Sequence, residues 1–181
     1  MILLTGFEKF GQYSRNLSKE LVKFFPDKVQ NHALIKKVLP VSWNRCIKVY
    51  KSTIKRIKYK LVVLTGIYSG KKILIERFAW NFAFGLDNYH KFKFSFIRLM
   101  KPIRLKTIIN VSEISSRVQK LDKISISSYP GIYLCNFLYY WALHLAKGIY
   151  PVIFLHIPAK ANIETIKIRV YNIIIDILKQ I

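Results

Sequence analysis

The chain has 181 residues, which suits one domain able to bury roughly 70% of its unfolded surface. Hydrophobic residues make up 52% and charged residues 22%, which excludes a disordered chain, and two cysteines exclude a disulfide scaffold. Lys and Arg number 31 against 9 Asp and Glu, a net charge of +22, and no apolar run reaches the ~18 residues that cross a bilayer.

Met1 to Thr5 reads as a buried first strand, followed by the loop Gly6 to Gly11. Met1 to Gly6 lacks the basic region and length of a signal peptide, so a cytoplasmic location is expected. Asn16 caps a helix to about Phe25, with Leu17, Leu21, Val22 and Phe25 on one face. Ala33 to Val38 is a second strand, closed by Leu39-Pro40-Val41. Ser42 caps a helix to about Lys58 that turns Trp43, Cys46, Ile47, Tyr50, Ile54 and Ile57 inward. Cys46 lies on that stripe and reads as a small core residue.

Leu61 to Thr65 is a short apolar strand ending at Gly66, as expected of a central strand covered on both faces. Ile73 to Asn81 is extended. Phe82 to Leu105 is basic and aromatic, and reads as loops with at most one strand. Asn110 and Glu113 form a capping box for a helix through Leu121. Ile124 to Ser128 is a strand and Tyr129-Pro130-Gly131 a turn. A helix begins near Cys135 and ends before Gly148; within Ile132 to Ala146, the longest apolar run, Asn136 and His144 interrupt it. Val152 to His156 is a strand halted by Pro158, and the last helix follows Asn162. Strands alternating with helices at this spacing predict an α/β fold: a three-layer α/β/α sandwich, with helices on both faces of a twisted, mainly parallel, mixed sheet.

The charge has two readings. A field of this sign attracts nucleic acid or anionic lipid. Alternatively it is a compositional bias, with Lys far above Arg, Ile, Asn, Tyr and Phe abundant, and Ala and Gly scarce. The lysines are scattered through every segment where a dedicated binding face would cluster them, so nucleic acid is expected to bind only by non-specific charge.

Three separated patches carry one reactive side chain each: Glu76, Cys135 and His156. Carboxylate, thiol and imidazole are the parts of a cysteine-nucleophile hydrolase, provided that folding brings them together. Cys135 stands where a turn enters a helix, and the free N–H groups and positive dipole end there favour a thiolate. A buried structural cysteine is the alternative. His156 ends a strand, where open α/β folds place their sites, but a strand-end histidine also serves structure. Glu76 follows the apolar Ile73-Leu74-Ile75, so its carboxylate must be paired or functional. Arg77 is the adjacent candidate partner, although alternation sends neighbouring strand side chains to opposite faces.

These patches resemble the pyroglutamyl peptidase I family, the pyrrolidone-carboxylate peptidases. The family's Thr-Gly-Phe-Glu-Pro-Phe-Gly is matched from Thr5 to Gly11 except at Lys9, and its Asn-Pro-Ser by Asn16-Leu17-Ser18. Its Leu-Pro-Val stands at Leu39 to Val41, and its Glu-Arg-X-Ala-X-Asn at Glu76, Arg77, Ala79 and Asn81. Its nucleophile motif is complete from Gly131 to Asn136, and its Phe-X-His-X-Pro from Phe154 to Pro158. The matches fall in family order along nearly the whole chain.

The resemblance implies one pyrrolidone-carboxylate peptidase-like domain over 1–181. It would be a cysteine exopeptidase that removes N-terminal pyroglutamate from peptides and proteins without metal or organic cofactor. It further implies Cys135 as nucleophile, His156 as base and acid, and Glu76 as the group orienting the imidazole. Phe7 and Phe10 would sandwich the flat lactam, with Asn16 a polar residue of the same pocket; for the two rings, loop-to-core packing is the alternative. A homo-oligomer is the family tendency, and the segment after His156 that family members use in subunit contacts is shortened.

Other departures are local. Phe82 to Asn88 replaces the family's Asp-Asp-Ala-Arg-Ile-Pro-Asp-Asn, and Leu86 stands close to the place of the arginine expected near the oxyanion. The Gly-Gly-Arg loop becomes Gly66 to Lys71, leaving Lys71 to supply positive charge without arginine's planar fork. Tyr129-Pro130 stands where the family has Ser-Ala. A degenerate or altered-specificity member, or a basic nucleic-acid-binding protein on the same scaffold, is the alternative function.

Overall fold

The computed structural model describes residues 1–11, 14–55, 57–118 and 123–181. Its centre is a seven-stranded sheet of order β10-β5-β11-β4-β1-β3-β2. In chain order these strands are β1 (Ile2–Phe7), β2 (Lys28–Val29), β3 (His32–Leu39), β4 (Leu61–Tyr68), β5 (Ile73–Glu76), β10 (Ile124–Ser127) and β11 (Val152–Pro158). β3, β1, β4 and β11 run parallel. β5 joins β11 antiparallel and carries β10 parallel to itself, while β2 is antiparallel to β3. The sheet is therefore mixed and mostly parallel, as expected.

Strand alternation divides the apolar side chains between two faces. Ile2, Leu4, Val63, Ile153, Leu155 and Ile157 meet α1 (Leu17–Phe24), α3 (Val111–Val118) and α5 (Ile163–Leu178). Leu3, Val62, Leu64, Val152 and Phe154 meet α2 (Trp43–Ile54) and α4 (Leu134–Ala146). Leu3, Leu4, Leu61, Ile153 and Leu155 are fully enclosed. Each such side chain contributes roughly 1.5–3 kcal/mol of burial, so the central strands anchor whatever their ends carry.

Several boundaries differ from the sequence expectation. β1 does not stop at Thr5, because Gly6 and Phe7 pair with Val38 and Leu39 of β3. Gly6 allows this: a Cβ there would lie 2.2 Å from the Ser18 carbonyl, so only glycine lets α1 start against the strand. β4 runs on through Gly66 to Tyr68, and β11 through His156 to Pro158, because the two strands pair in register along that length. His156 is thus inside a strand rather than at its end. α2 closes at Ile54, earlier than Lys58, and Tyr59 folds back to donate to the Thr53 carbonyl at 3.1 Å. The expected extension of α3 to Leu121 falls outside the described residues.

The extended stretch Ile73 to Asn81 breaks at Arg77 into β5 and β6 (Phe78–Trp80), which belong to different sheets. The basic aromatic stretch supplies three strands where at most one was expected. β7 (Ala83–Leu86) pairs with β8 (Phe92–Ser95), and β9 (Arg104–Lys106) pairs with β6. Asp87 fixes this region. Its carboxylate accepts the N–H groups of Trp43 at 3.0 Å and of Tyr89 and Lys91 at 2.9 Å each. Burial pushes its carboxyl upward, but these N–H donors outweigh burial and hold it below the usual range.

Among the described residues no helix is long and apolar enough to cross a membrane.

Candidate active site

Four neighbouring strands bring the site together at one end of the sheet. β1 ends in Phe7, β4 carries Gly66, β11 carries His156, and β5 ends in Glu76. His156 Nδ1 and Glu76 Oε1 lie 2.7 Å apart, with Glu76 fully buried and His156 7% exposed. The register explains the pairing: Glu76 faces Phe154 across the antiparallel β5–β11 ladder, and His156 stands two residues further on the same side. Arg77 takes no part, because its guanidinium donates to Ser112 Oγ at 3.0 Å.

Cys135 is the second residue of α4 and is partly exposed. A Cβ added at Gly66 would lie 2.6 Å from its sulfur, so the thiol rests directly on the β4 backbone beside His156. Burial pushes the imidazole down. Hydrogen bonding and charge from Cys135, and then from Glu76, more than offset it, raising His156 from 6.5 to about 9. The ring is held between Phe154, with centroids 4.8 Å apart, and Tyr68 at 5.9 Å. Among the described residues Glu76 Oε2 has no hydrogen-bond partner, so the hydrogen bond of this carboxylate goes to the histidine through Oε1.

Phe7, Phe10 and Asn16 line one pocket with Val41, Ile67, Tyr133, Leu134 and Cys135. The structure therefore brings Phe7, Phe10 and Asn16 to the Cys135 thiol, with His156 beside the sulfur and Glu76 behind His156. Asn16 is also engaged locally. Its amide donates to the Glu8 carbonyl at 2.8 Å, and its oxygen accepts from Ser18 N and Oγ at 3.0 and 2.7 Å. Free space in the pocket is about 10 Å³, roughly one water's worth.

Other motif residues prove to be braces. Asn136 accepts the Trp80 N–H at 2.7 Å and donates to the Trp80 and Phe82 carbonyls at 2.8 and 2.9 Å, pinning the start of α4 to β6. Asn81 holds the turn after β8 through Arg98 and Lys101. Tyr139, fully buried, donates to the Glu76 carbonyl at 2.9 Å. Leu86 offers its carbonyl to the Tyr133 hydroxyl at 2.7 Å. Lys71 is exposed and is not among the residues lining the Cys135 pocket. Gly66, Tyr68 and Tyr133 were not singled out as site residues. Glycine within an otherwise apolar strand was the available signal for Gly66, since it marks a close approach.

A family model for pyroglutamyl peptidase matches residues 1–170. The pyrrolidone-carboxylate peptidase of Lactobacillus acidophilus is 30% identical over 165 residues, covering 87% of this chain and 82% of that one. That of Thermococcus litoralis is 31% identical over 169 residues, covering 87% and 76%. Among solved structures, the pyrrolidone carboxyl peptidase of Thermus thermophilus superposes with a TM-score of 0.90 at 26% identity, over 96% of this chain and 98% of that one. The Thermococcus litoralis structure gives 0.92 over 98% and 93%, and at 24% identity it speaks for the fold alone. Fold and relatives together define the class, an α/β peptidase. The chain belongs to the pyroglutamyl peptidase family.

Proposed function

We propose that the protein removes N-terminal pyroglutamate from peptides by acyl transfer through Cys135, His156 and Glu76. The observation that carries this reading is the buried 2.7 Å His156–Glu76 pair, set beside a helix-start thiol and an aromatic pocket. Glu76 occupies Nδ1 and so leaves Nε2 as the nitrogen for the sulfur.

The sulfur of Cys135 attacks the pyroglutamyl carbonyl carbon, and its proton resides on His156. The C–N bond breaks as the imidazolium gives that proton to the departing amine, leaving a thioester. Water, deprotonated by His156, then releases pyroglutamate and restores the thiol. A His156 held near 9 is a competent proton donor at neutral pH. The first intrahelical hydrogen bond of α4 runs from Phe137 N to Tyr133 O. The Cys135 N–H precedes it and is available to the oxyanion.

Phe7 and Phe10 supply flat apolar walls for an uncharged five-membered lactam, which lacks the ammonium of an ordinary N-terminus. With so little free space present, Phe10 and Tyr133, whose centroids are 6.0 Å apart, separate to admit the ring. A reduced cytoplasmic setting suits a reaction that needs a free thiol.

The test is a panel of fluorogenic amides differing only in the first residue: pyroglutamate, glutamine, proline and alanine. Turnover confined to the pyroglutamyl amide is the expected result. Equal turnover of the proline or alanine amide contradicts the assigned pocket.

A further inference from the structure

We propose that a basic hollow beside the catalytic groups receives the leaving peptide and selects acidic residues downstream of the pyroglutamyl group. This rests on the peptidase reading above and adds a preference on the leaving-group side. The hollow has a volume of about 520 Å³ and is lined by Lys71, Lys72, Lys123, Lys160 and Arg169, with no carboxylate in its lining among the described residues. The four lysines are exposed and Arg169 is half-buried. Among the described residues none of the five forms an ion pair. Glu164, on the same helix as Arg169, is held by Lys167 at 2.5 Å. Five like charges around one concavity repel each other, and an anionic guest relieves that repulsion.

The order of strands says what that guest is. The pocket of Phe7 lies at β1, the sulfur rests on β4, the proton donor stands on β11, and β5 and β10 follow. A substrate with its ring at β1 and its scissile bond at the sulfur sends its amine over His156, toward β5 and β10. The hollow opens at that end of the sheet, under α5 on the face opposite α4, and Tyr68 joins it to the site: its ring lies 5.9 Å from that of His156, and its hydroxyl accepts the Lys72 N–H at 3.3 Å. Lys71 and Lys72 stand between β4 and β5, Lys123 immediately precedes β10, and Lys160 follows the end of β11. Pro158, also in its lining, is two residues beyond His156, a rise of roughly 7 Å. An extended peptide advances about 3.4 Å per residue, so the second to fourth residues after pyroglutamate reach the lysines.

The experiment measures kcat/KM for three pyroglutamyl tetrapeptides whose last two residues are both glutamate, both glutamine or both lysine, at low and at high salt. The expected preference for the acidic over the neutral peptide is about tenfold at low salt, shrinking at high salt. In the combined variant Lys71→Gln, Lys72→Gln, Lys160→Gln the acidic-to-neutral ratio falls close to one. In a charge-matched control, Lys48→Gln, Lys55→Gln, Lys58→Gln, the ratio stays at the wild-type value. Equal cleavage of the acidic and neutral peptides overturns the hollow's role and leaves the peptidase reading intact. A fall of the ratio in the control as large as in the hollow variant assigns the preference to the overall charge and also overturns it. Failure to cleave any of the three peptides removes the underlying reading.

Discussion

Gly66 gives the sharpest test of the site geometry. An alanine Cβ at this position would stand 2.6 Å from the Cys135 sulfur and 3.0 Å from Phe154 Cζ, against ordinary contacts of 3.4–4 Å. The sulfur must therefore retreat by roughly 1 Å, a displacement that costs on the order of a hundredfold where a reacting atom has to be aligned. Overpacking against Phe154 costs the fold about 1–3 kcal/mol. Gly66→Ala should then remain folded by circular dichroism, lose about a hundredfold in kcat/KM on a pyroglutamyl amide, and show a lowered Tm. Placing it in a Cys135→Ala background should recover part of the Tm loss, because the shorter side chain no longer meets the new methyl. Activity within threefold of wild type would refute the claim that the thiol rests on this strand.

The acid–imidazole pair makes two further predictions. His156 is raised from 6.5 to about 9 by Cys135 and Glu76 acting against burial. Its proton is therefore present through neutral pH and lost as pH rises through about 9, so kcat/KM should fall on an alkaline limb near that value, a property of the coupled groups as a whole. The same sign applies to stability: the contribution is complete below 6.5 and disappears as pH climbs through about 9, which a series of Tm measurements across that window will show. Glu76→Gln removes one of the raising partners and should move the limb to lower pH while leaving measurable turnover, whereas His156→Ala should abolish hydrolysis. An unmoved limb in Glu76→Gln would contradict the pairing. Asn136→Ala strips the partners from three backbone groups of β6 and its exit. It should lower unfolding stability by about 2–4 kcal/mol in urea titrations, with the Cys135 thiol still alkylated in the folded protein.

The central fold was legible because its strands are apolar on both faces. Leu61 to Leu64 and Val152 to Leu155 leave no reading other than interior strands. The helices were legible from caps such as Asn16 and Asn162, whose side chains do accept the first free N–H groups. Phe82 to Leu105 was opaque for the converse reason. β7 and β8 form a two-stranded ribbon with Phe84, Phe92 and Phe94 turned to solvent, so no core imposes a period on the sequence. What orders it is Asp87, a single carboxylate gathering backbone N–H groups from residues 43 to 91.

The reactive residues were visible only as motif members, since Glu76 and His156 are 80 positions apart and nothing local announces their contact. The partners of Gly66 and Tyr68 were invisible for a related reason, although a glycine in an apolar strand signals some close approach. Each works by fitting against a residue from another strand or helix, a relation that exists only once β4, β11 and α4 are assembled.

The most direct measurement is the site of the acyl group. Protein quenched with acid during turnover of a pyroglutamyl ester should carry one pyroglutamyl group, and peptide mapping by mass spectrometry should locate it on Cys135. An adduct on another residue, or full turnover by Cys135→Ala, would contradict the account.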